Sequence, residues 1–476
     1  MDKNVVKNIY KKYRVEVLLF FTSCLVSVLV LIIFFALGGK NTNFPITSAD
    51  SQEYFDLAEN ILEYKQFIYP NPRGELVHET FRSPAYPFIL SSVIFLFGSV
   101  NPITFIQIFI LGFSVVIIYK IGLLFFDKRI SLIAAILYLF EPGSIYHSFF
   151  VLSETFFVFF LLLSVYLFLY SLKREKIPIY LWFITGLFLG MMTLTRAVGQ
   201  YIVVIFVIFY IIYNMKNNKN IRLSVIYLFV FLFGFFIVVF PWSYRNYRLY
   251  NTFTLSSTPG YVLMKNHLPF FYVHKYDVSL REATEFFFQH SKDDLDFNRR
   301  SLENTKELKS RGLNYIKDNF WEYSIFHLIK TVPFFLGDSI RDYIAAIDPP
   351  DPNNFQGINI SGLILKGEFR QLNTFIFDGL KTGNAYIISS ILSSFVWLLV
   401  SLSLLFSFFI SIKSKDKQKI FIVIFFLSLI AFFAGLTGPV SNARYRLPTE
   451  PFMFILTAYS FNFLYKKLKD KSYLSD

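Results

Sequence analysis

The chain has 476 residues, 54% of them hydrophobic and 20% aromatic, a composition that excludes an ordinary soluble domain. Its net charge of +13 is gathered largely into short clusters between apolar runs, a pattern that orients membrane helices rather than binding nucleic acid. With a single cysteine, Cys24, neither an internal disulfide nor a cysteine metal site is available.

The first apolar run, "VEVLLFFTSCLVSVLVLIIFFALGG", is too long for a signal-peptide core and lacks a small-x-small cleavage pattern, so it reads as an uncleaved signal anchor. Basic clusters precede it and recur at 127–129, 173–176, 216–222, 413–419 and 466–471. If all of them are cytoplasmic, the intervening spans must come in pairs. They do, near 16–37, 103–126, 130–147, 150–172, 178–195, 198–213, 222–242, 385–412, 419–437 and 448–465. The expectation is an all-α polytopic protein of the plasma (inner) membrane with about ten transmembrane helices and both termini cytoplasmic.

Three parts follow. Residues 1–242 form an N-terminal transmembrane module whose first outer loop is 38–84, and residues 385–476 form the C-terminal helices. Between them, 243–384 is a large outer region with an amphipathic tract, "FWEYSIFHLIKTVPFFLGD" (320–338), suited to lying on the membrane face. The apolar piece 85–97 is too short to span straight, and reads as re-entrant, interfacial or part of a bent span through 102.

The first outer loop holds "SADSQEYFDLAENILEYK" (48–65). Tyr54, Leu57, Ala58, Ile61 and Leu62 fall at helical spacing, with Glu53, Asp56, Glu59, Asn60 and Glu63 around the other face. This predicts a short amphipathic helix on the outer surface. Asp50 opens it, with Glu53 three residues on, a capping-box spacing. Asp50 therefore has two readings: helix cap, or acid–base residue.

Its expected neighbours bear on the choice. The segments "FRSPAYPF" (81–88), "SETFF" (153–157), "LTRAVGQY" (194–201), "PWSYRNY" (241–247) and "NARYRLPTEPFM" (442–453) all fall at outer helix ends or in outer loops. They would gather Arg82, Glu154, Arg196, Arg245, Arg444 and Arg446 around Asp50. Ionised groups near membrane depth are costly and mark substrate paths, and arginines facing a carboxylate suit a phosphate-bearing substrate.

An acidic residue before an amphipathic helix with Tyr and Ala ("ADSQEYFDLA"), a basic Pro-Tyr element closing the loop ("RSPAYP") and a Ser-Glu pair opening a later span resemble the GT-C superfamily of integral-membrane glycosyltransferases. The likeness is to the branch with protein O-mannosyltransferases, the lipid A aminoarabinose transferase and rhizobial lipopolysaccharide sugar transferases. It covers roughly residues 10–250 and returns at 442–453. Many members carry two adjacent acids in the first loop, whereas here Ser51 follows Asp50, which leaves Asp50 as the one candidate there.

The resemblance implies transfer of a sugar from a polyprenyl-phosphate donor to an acceptor hydroxyl of a protein, lipid or glycan outside the cytoplasm, with inversion. Asp50 would be the general base. Arg196, which matches in position the family's basic residue on the donor phosphate, Arg82, Arg444 and Arg446 would hold that phosphate, and Glu154, Tyr54 and Tyr86 would orient substrate. The plainer alternatives are a snorkelling anchor for Arg196 or Arg82, a structural ion pair for Glu154 and a structural anchor for Arg245. The six histidines include no H-E-x-x-H, and no Walker loop or dinucleotide-binding glycine pattern is present, so neither a zinc hydrolase nor a nucleotide cofactor is indicated. No metal set is indicated either, although assistance by a divalent ion stays open. The alternative functions are a lipid-carrier oligosaccharide polymerase or ligase and a lipid or sugar transporter.

Overall fold

A computed structural model describes residues 3–37, 44–71, 74–174, 176–288, 301–337, 368–382 and 385–472. It is the expected helical membrane architecture, with one small sheet added. Seven helices are long and apolar enough to cross a bilayer, and each of the ten expected spans coincides with a helical segment.

Helix α1 (Lys3–Leu37) enters the bundle and α2 (Ala49–Tyr64) follows as the short amphipathic helix. The residues that cap α2 are not those expected. Ser48 is the N-cap, its amide donates to Ser51 Oγ at 2.9 Å, and the two hydroxyls lie 3.0 Å apart. Asp50 is thus the second residue of the helix, within its first turn, and its carboxylate is relieved of capping because two serine hydroxyls already do it. A hairpin of β1 (Ile68–Pro70) and β2 (Leu76–His78), paired Ile68 to His78, leads to α3 (Ala85–Phe97). That helix ends on Gly98 at φ 66°, a left-handed cap that separates it from the next span.

Helices α4 (Pro102–Phe125), α5 (Lys128–Leu139), α6 (Pro142–His147), α7 (Glu154–Lys173), α8 (Ile179–Thr195), α9 (Ile202–Lys216) and α10 (Ile221–Tyr250) complete the N-terminal part. The span expected at 130–147 is broken between α5 and α6. Pro142 cannot donate to a continuing helix, and Glu141 instead caps a new one by accepting from the Ser144 amide. Helix α10 continues past 242: its 30 residues make about 45 Å, well beyond a hydrocarbon core of about 30 Å.

The region after α10 contains short helices: α11 (Thr258–Val262), α12 (Leu268–Tyr276), α13 (Leu280–Phe288), α14 (Leu302–Asp318), α15 (Phe320–Lys330) and α16 (Val332–Leu336). They share a core of Met264, Leu268, Phe271, Phe287, Leu308 and Phe326. Trp321, Ile325 and Leu328 stay exposed along one side of α15, the apolar row that the amphipathic tract predicts. Then come α17 (Phe369–Thr382), α18 (Ala385–Ser414), α19 (Lys417–Thr437), the four-residue α20 (Ala443–Arg446) and α21 (Glu450–Ser472).

Because lipid tails are as apolar as the helices, packing in a membrane depends on close approach. Gly186 and Gly190, four apart on α8, face α10, the first against Gly234 and the second against Phe235 and Val238. A Cβ on Gly186 would stand 2.1 Å from the Phe231 carbonyl oxygen, and one on Gly234 would stand 2.2 Å from that of Phe183. Neither backbone can yield without parting the helices. We expect Gly186→Val and Gly234→Val each to abolish a monodisperse, folded species in detergent chromatography. Gly435→Ala, where nothing lies within 4 Å of the added carbon, should keep the wild-type profile.

Candidate functional site

Four breaks in the helical pattern deliver charged side chains to one end of the bundle. Asp50 comes from the first turn of α2, Arg82 from the loop between β2 and α3, Glu154 from the start of α7, and Arg196 from the residue that ends α8. Arg444 arrives on α20. Helices α7 and α8 run in opposite directions, so the beginning of one lies beside the end of the other. A carboxylate at a helix N-terminus and a guanidinium at a C-terminus are each the sign the helix dipole favours.

Together with Glu53, these five side chains form one chain of ion pairs. Arg82 donates from Nη2 to Asp50 Oδ1 at 2.6 Å and from Nε to Glu53 Oε2 at 2.5 Å. Arg444 donates from Nη1 to Asp50 Oδ2 at 2.8 Å and from Nε to Glu154 Oε1. Arg196 Nη1 meets the same Glu154 oxygen at 2.6 Å. Three guanidiniums thus alternate with the carboxylates of Glu53, Asp50 and Glu154, and the formal charges cancel. Glu154 is almost wholly buried, and its Oε2 has no hydrogen-bond partner among the described residues. Burial pushes the Asp50 carboxyl upward, but Arg82 and Arg444 outweigh it and hold the group below its ordinary range.

Residues that sequence reasoning passed over hold this network in place. Glu79, buried, accepts from the amides of Phe81 and Arg82, the latter at 2.9 Å, and so fixes the backbone that carries the guanidinium. Ser83 Oγ accepts from the Ala197 amide at 3.0 Å, tying the Arg82 loop to the Arg196 turn. The hydroxyls of Ser256 and Thr258 donate to the Phe81 carbonyl at 2.7 and 2.8 Å. His147, bonded through Nδ1 to the Gly143 carbonyl at 2.8 Å, lies within electrostatic reach of Glu154. Glu53 had a signal, its place on the helix of Asp50, whereas Glu79 and Ser83 had only their closeness in sequence to Arg82.

The remaining candidates lie as follows. Tyr54 places its ring 5.1 Å from the Arg82 guanidinium and its hydroxyl 3.3 Å from Ser153 Oγ. Tyr86 packs edge-on to Tyr54, but its hydroxyl donates to Gln107 Oε1 at 2.8 Å, inside the bundle. Arg245 is an anchor: it lies over Trp242 and donates to the carbonyls of Glu79 and Phe67 at 3.0 and 3.1 Å.

Arg446 does not join the other arginines. It is completely buried, 3.1 Å from Glu450, donates to the carbonyls of Phe334 and Gly337 at 3.1 and 2.9 Å, and lies 3.4 Å over the Trp397 ring. Two residues apart on a helical turn point to different sides, so Arg444 and Arg446 cannot serve one site. Among the described residues no three His, Cys, Asp or Glu side chains form a metal-ligand group, and both Asp50 oxygens are engaged by guanidiniums.

Residues 81–244, which contain Arg82, Glu154 and Arg196, match the family model described as dolichyl-phosphate-mannose-protein mannosyltransferase. A comparison with curated proteins finds no match. Among solved structures, the chain is similar to the archaeal oligosaccharyltransferase AglB from Archaeoglobus fulgidus in complex with an inhibitory peptide and a dolichol-phosphate. That match has 15% identity and a TM-score of 0.54, and covers 98% of this chain and 52% of that one. The Archaeoglobus fulgidus oligosaccharyltransferase tethered with an acceptor peptide containing the NVT sequon is similar at 16% identity and a TM-score of 0.52, over 96% of this chain and 50% of that one. The chain therefore spans about half the length of these structures, and at such identities the likeness is one of fold.

A carboxylate whose native pKa is depressed stabilises the fold above its unfolded pKa and loses that contribution as pH falls through the native value. For Asp50 the loss belongs below its ordinary 3.8. The thermal midpoint of the wild type should therefore fall more steeply below that pH than the midpoint of Asp50→Asn. Parallel profiles would show that the two ion pairs contribute nothing to stability.

Proposed function

We propose that this GT-C-like membrane chain is a glycosyltransferase that moves a sugar from a polyprenyl-phosphate-linked donor to an acceptor hydroxyl. The observation that carries the reading is the convergence of Arg82, Arg196 and Arg444, from three separate segments, on Asp50 and Glu154 at one end of the bundle. The family match over 81–244 and the shared fold support it. A solved relative is described in complex with a dolichol-phosphate, which is the class of donor headgroup that such a set of guanidiniums suits.

In this reading the donor's isoprenoid tail partitions into the bilayer and its phosphate meets the arginines. The bond between the anomeric carbon and the phosphate oxygen breaks, and its electron pair stays on the phosphate. Such a leaving group needs no general acid, only positive charge where its own charge grows. The acceptor oxygen bonds the opposite face of the anomeric carbon, inverting it, and its proton passes to Asp50. Arg82 and Arg444 depress the basicity of Asp50 while they hold it. A phosphate that competes for the same guanidiniums restores that basicity as the donor binds, so the base is activated by its own substrate. Glu154 Oε2, buried and unpartnered among the described residues, is suited to accept from a sugar hydroxyl.

Because Ser48 and Ser51 cap α2, Asp50→Asn should fold normally, and its turnover of a polyprenyl-phosphate sugar in membranes should fall about 100-fold or more. Arg196→Ala should cost about 1.5–3 kcal/mol of donor engagement, partly restored by lysine, which keeps the charge but not the fork. Wild-type turnover by both Asp50→Asn and Arg196→Ala would leave the network a structural one.

In this reading the network faces the extracytoplasmic side, an orientation that the lysine-rich opposite helix ends favour by the positive-inside rule. In a Cys24→Ser background, cysteines at the exposed positions Glu75 and Ser279 should react with an impermeant thiol reagent in intact cells. Labelling of both only after lysis would invert the orientation.

A further inference from the structure

At the end of the bundle opposite the network, α4, α5, α18, α19 and α21 enclose a cavity of about 430 Å³. We propose that this cavity binds the headgroup of an anionic phospholipid that carries a hydroxyl beyond its phosphate, as phosphatidylglycerol does.

Helical spacing builds the site. Tyr459, Asn462, Phe463 and Lys466 recur at i, i+3, i+4 and i+7, so one face of α21 turns into the cavity. Ile410, Lys413 and Ser414 repeat the i, i+3, i+4 pattern on α18, and Lys419 enters from the first turn of α19. Three ammonium groups therefore surround the space.

The carboxylates nearby do not neutralise them. Asp127 lies 3.6 Å from Lys466 through Oδ2, while its Oδ1 accepts from the Ile130 amide at 2.9 Å as the cap of α5. Asp416 lies 3.2 Å from Lys419 through Oδ2, while its Oδ1 caps α19, accepting from the Gln418 amide at 3.0 Å. Each acid is divided between a helix end and one lysine, and Lys413 has no ion pair among the described residues. Three positive charges against two shared negative ones leave room for a phosphate, and basic pockets between membrane helices suit lipid headgroups.

Asn462 sharpens the choice of ligand. It is 6% exposed, it lines the cavity, and its Oδ1 has no hydrogen-bond partner among the described residues. An amide oxygen buried in this way is costly and wants a donor, which the fully ionised phosphodiester of a phospholipid cannot itself supply. A glycerol hydroxyl next to the phosphate can. The rest of the wall includes Phe125, Phe126, Ile130 and Phe463, an apolar surface for the first segments of acyl chain. Ammonium groups, one hydroxyl acceptor and an apolar wall together describe a lipid rather than a soluble anion.

The test uses the full chain in vesicles of phosphatidylcholine doped with spin-labelled phosphatidylglycerol, phosphatidylmethanol or phosphatidylcholine, and reads the immobilised fraction of each label. The wild type should immobilise phosphatidylglycerol in preference to phosphatidylcholine. Selectivity should drop about fivefold for each lysine lost in Lys413→Gln and Lys466→Gln. Lys413→Arg and Lys466→Arg, which keep the charge, should retain it and control for folding. Asn462→Leu should weaken phosphatidylglycerol and leave phosphatidylmethanol, an equally charged phosphodiester with no headgroup hydroxyl, unchanged. Equal immobilisation of phosphatidylglycerol and phosphatidylcholine by the wild type would overturn the proposal, as would full selectivity in both glutamine variants or its loss in both arginine variants. Displacement of the labelled lipid by soluble glycerol 3-phosphate would assign the cavity to a water-borne phosphate instead.

Discussion

Arg444 is the guanidinium on which the network end of this bundle depends. It reaches Asp50 on α2 with one nitrogen and Glu154 at the start of α7 with another. Glu154 is nearly without solvent contact, and a carboxylate so placed is tolerable only when opposite charge stands against it. Arg196 shares that duty from the end of α8, and Arg82 closes the far side of Asp50. Five segments distant in sequence are thus tied to each other by ion pairs as well as by the packed core they share.

That arrangement requires Arg444 to be delivered accurately, and its carrier is a turn with little freedom. Between α19 and α20 the chain passes through Gly438 at φ 39°, where a Cβ would stand 2.2 Å from the His327 ring. His327 belongs to α15, and its Nε2 donates to the Gly435 carbonyl at 2.6 Å. Arg446, two residues beyond Arg444, binds the carbonyls of Phe334 and Gly337 at and just after α16. These short helices therefore grip the Arg444 turn on both flanks. Their link to the site is mechanical: they aim a guanidinium that they do not themselves supply.

Much of the architecture was legible because its signals are local. Runs of apolar residues bounded by lysines mark helices whatever their neighbours, and Tyr54, Leu57, Ala58, Ile61 and Leu62 mark the amphipathic helix by spacing alone. Alternating topology also told which helix ends share a side, so Asp50, Arg82, Glu154, Arg196 and Arg444 could be named before any distance was known. Direction at short range could not be read. Whether Ser48 or Asp50 caps α2 depends on a two-residue shift in where the helix begins, and both are good caps. Arg444 and Arg446 are equivalent in composition and opposite in orientation, a difference set by a four-residue helix with no periodic signal. Glu79 serves the site through backbone amides, and such bonds leave no pattern in side-chain chemistry.

The two ends of the bundle also differ in how their charge is settled. At the network end, carboxylates and guanidiniums alternate in equal number and share oxygens, so an incoming anion must displace a partner it resembles. At the lysine-rich end, acids divided between helix caps and ammonium groups leave a positive remainder, so an anion adds to what is there. The first arrangement suits a ligand that arrives, reacts and leaves, because each guanidinium has a carboxylate to which it can return. The second suits a ligand that stays, because nothing inside the protein competes for its place. An amphiphilic protein in an anionic membrane has use for both: exchange where chemistry is proposed to occur, and retention where the helix ends meet the headgroups.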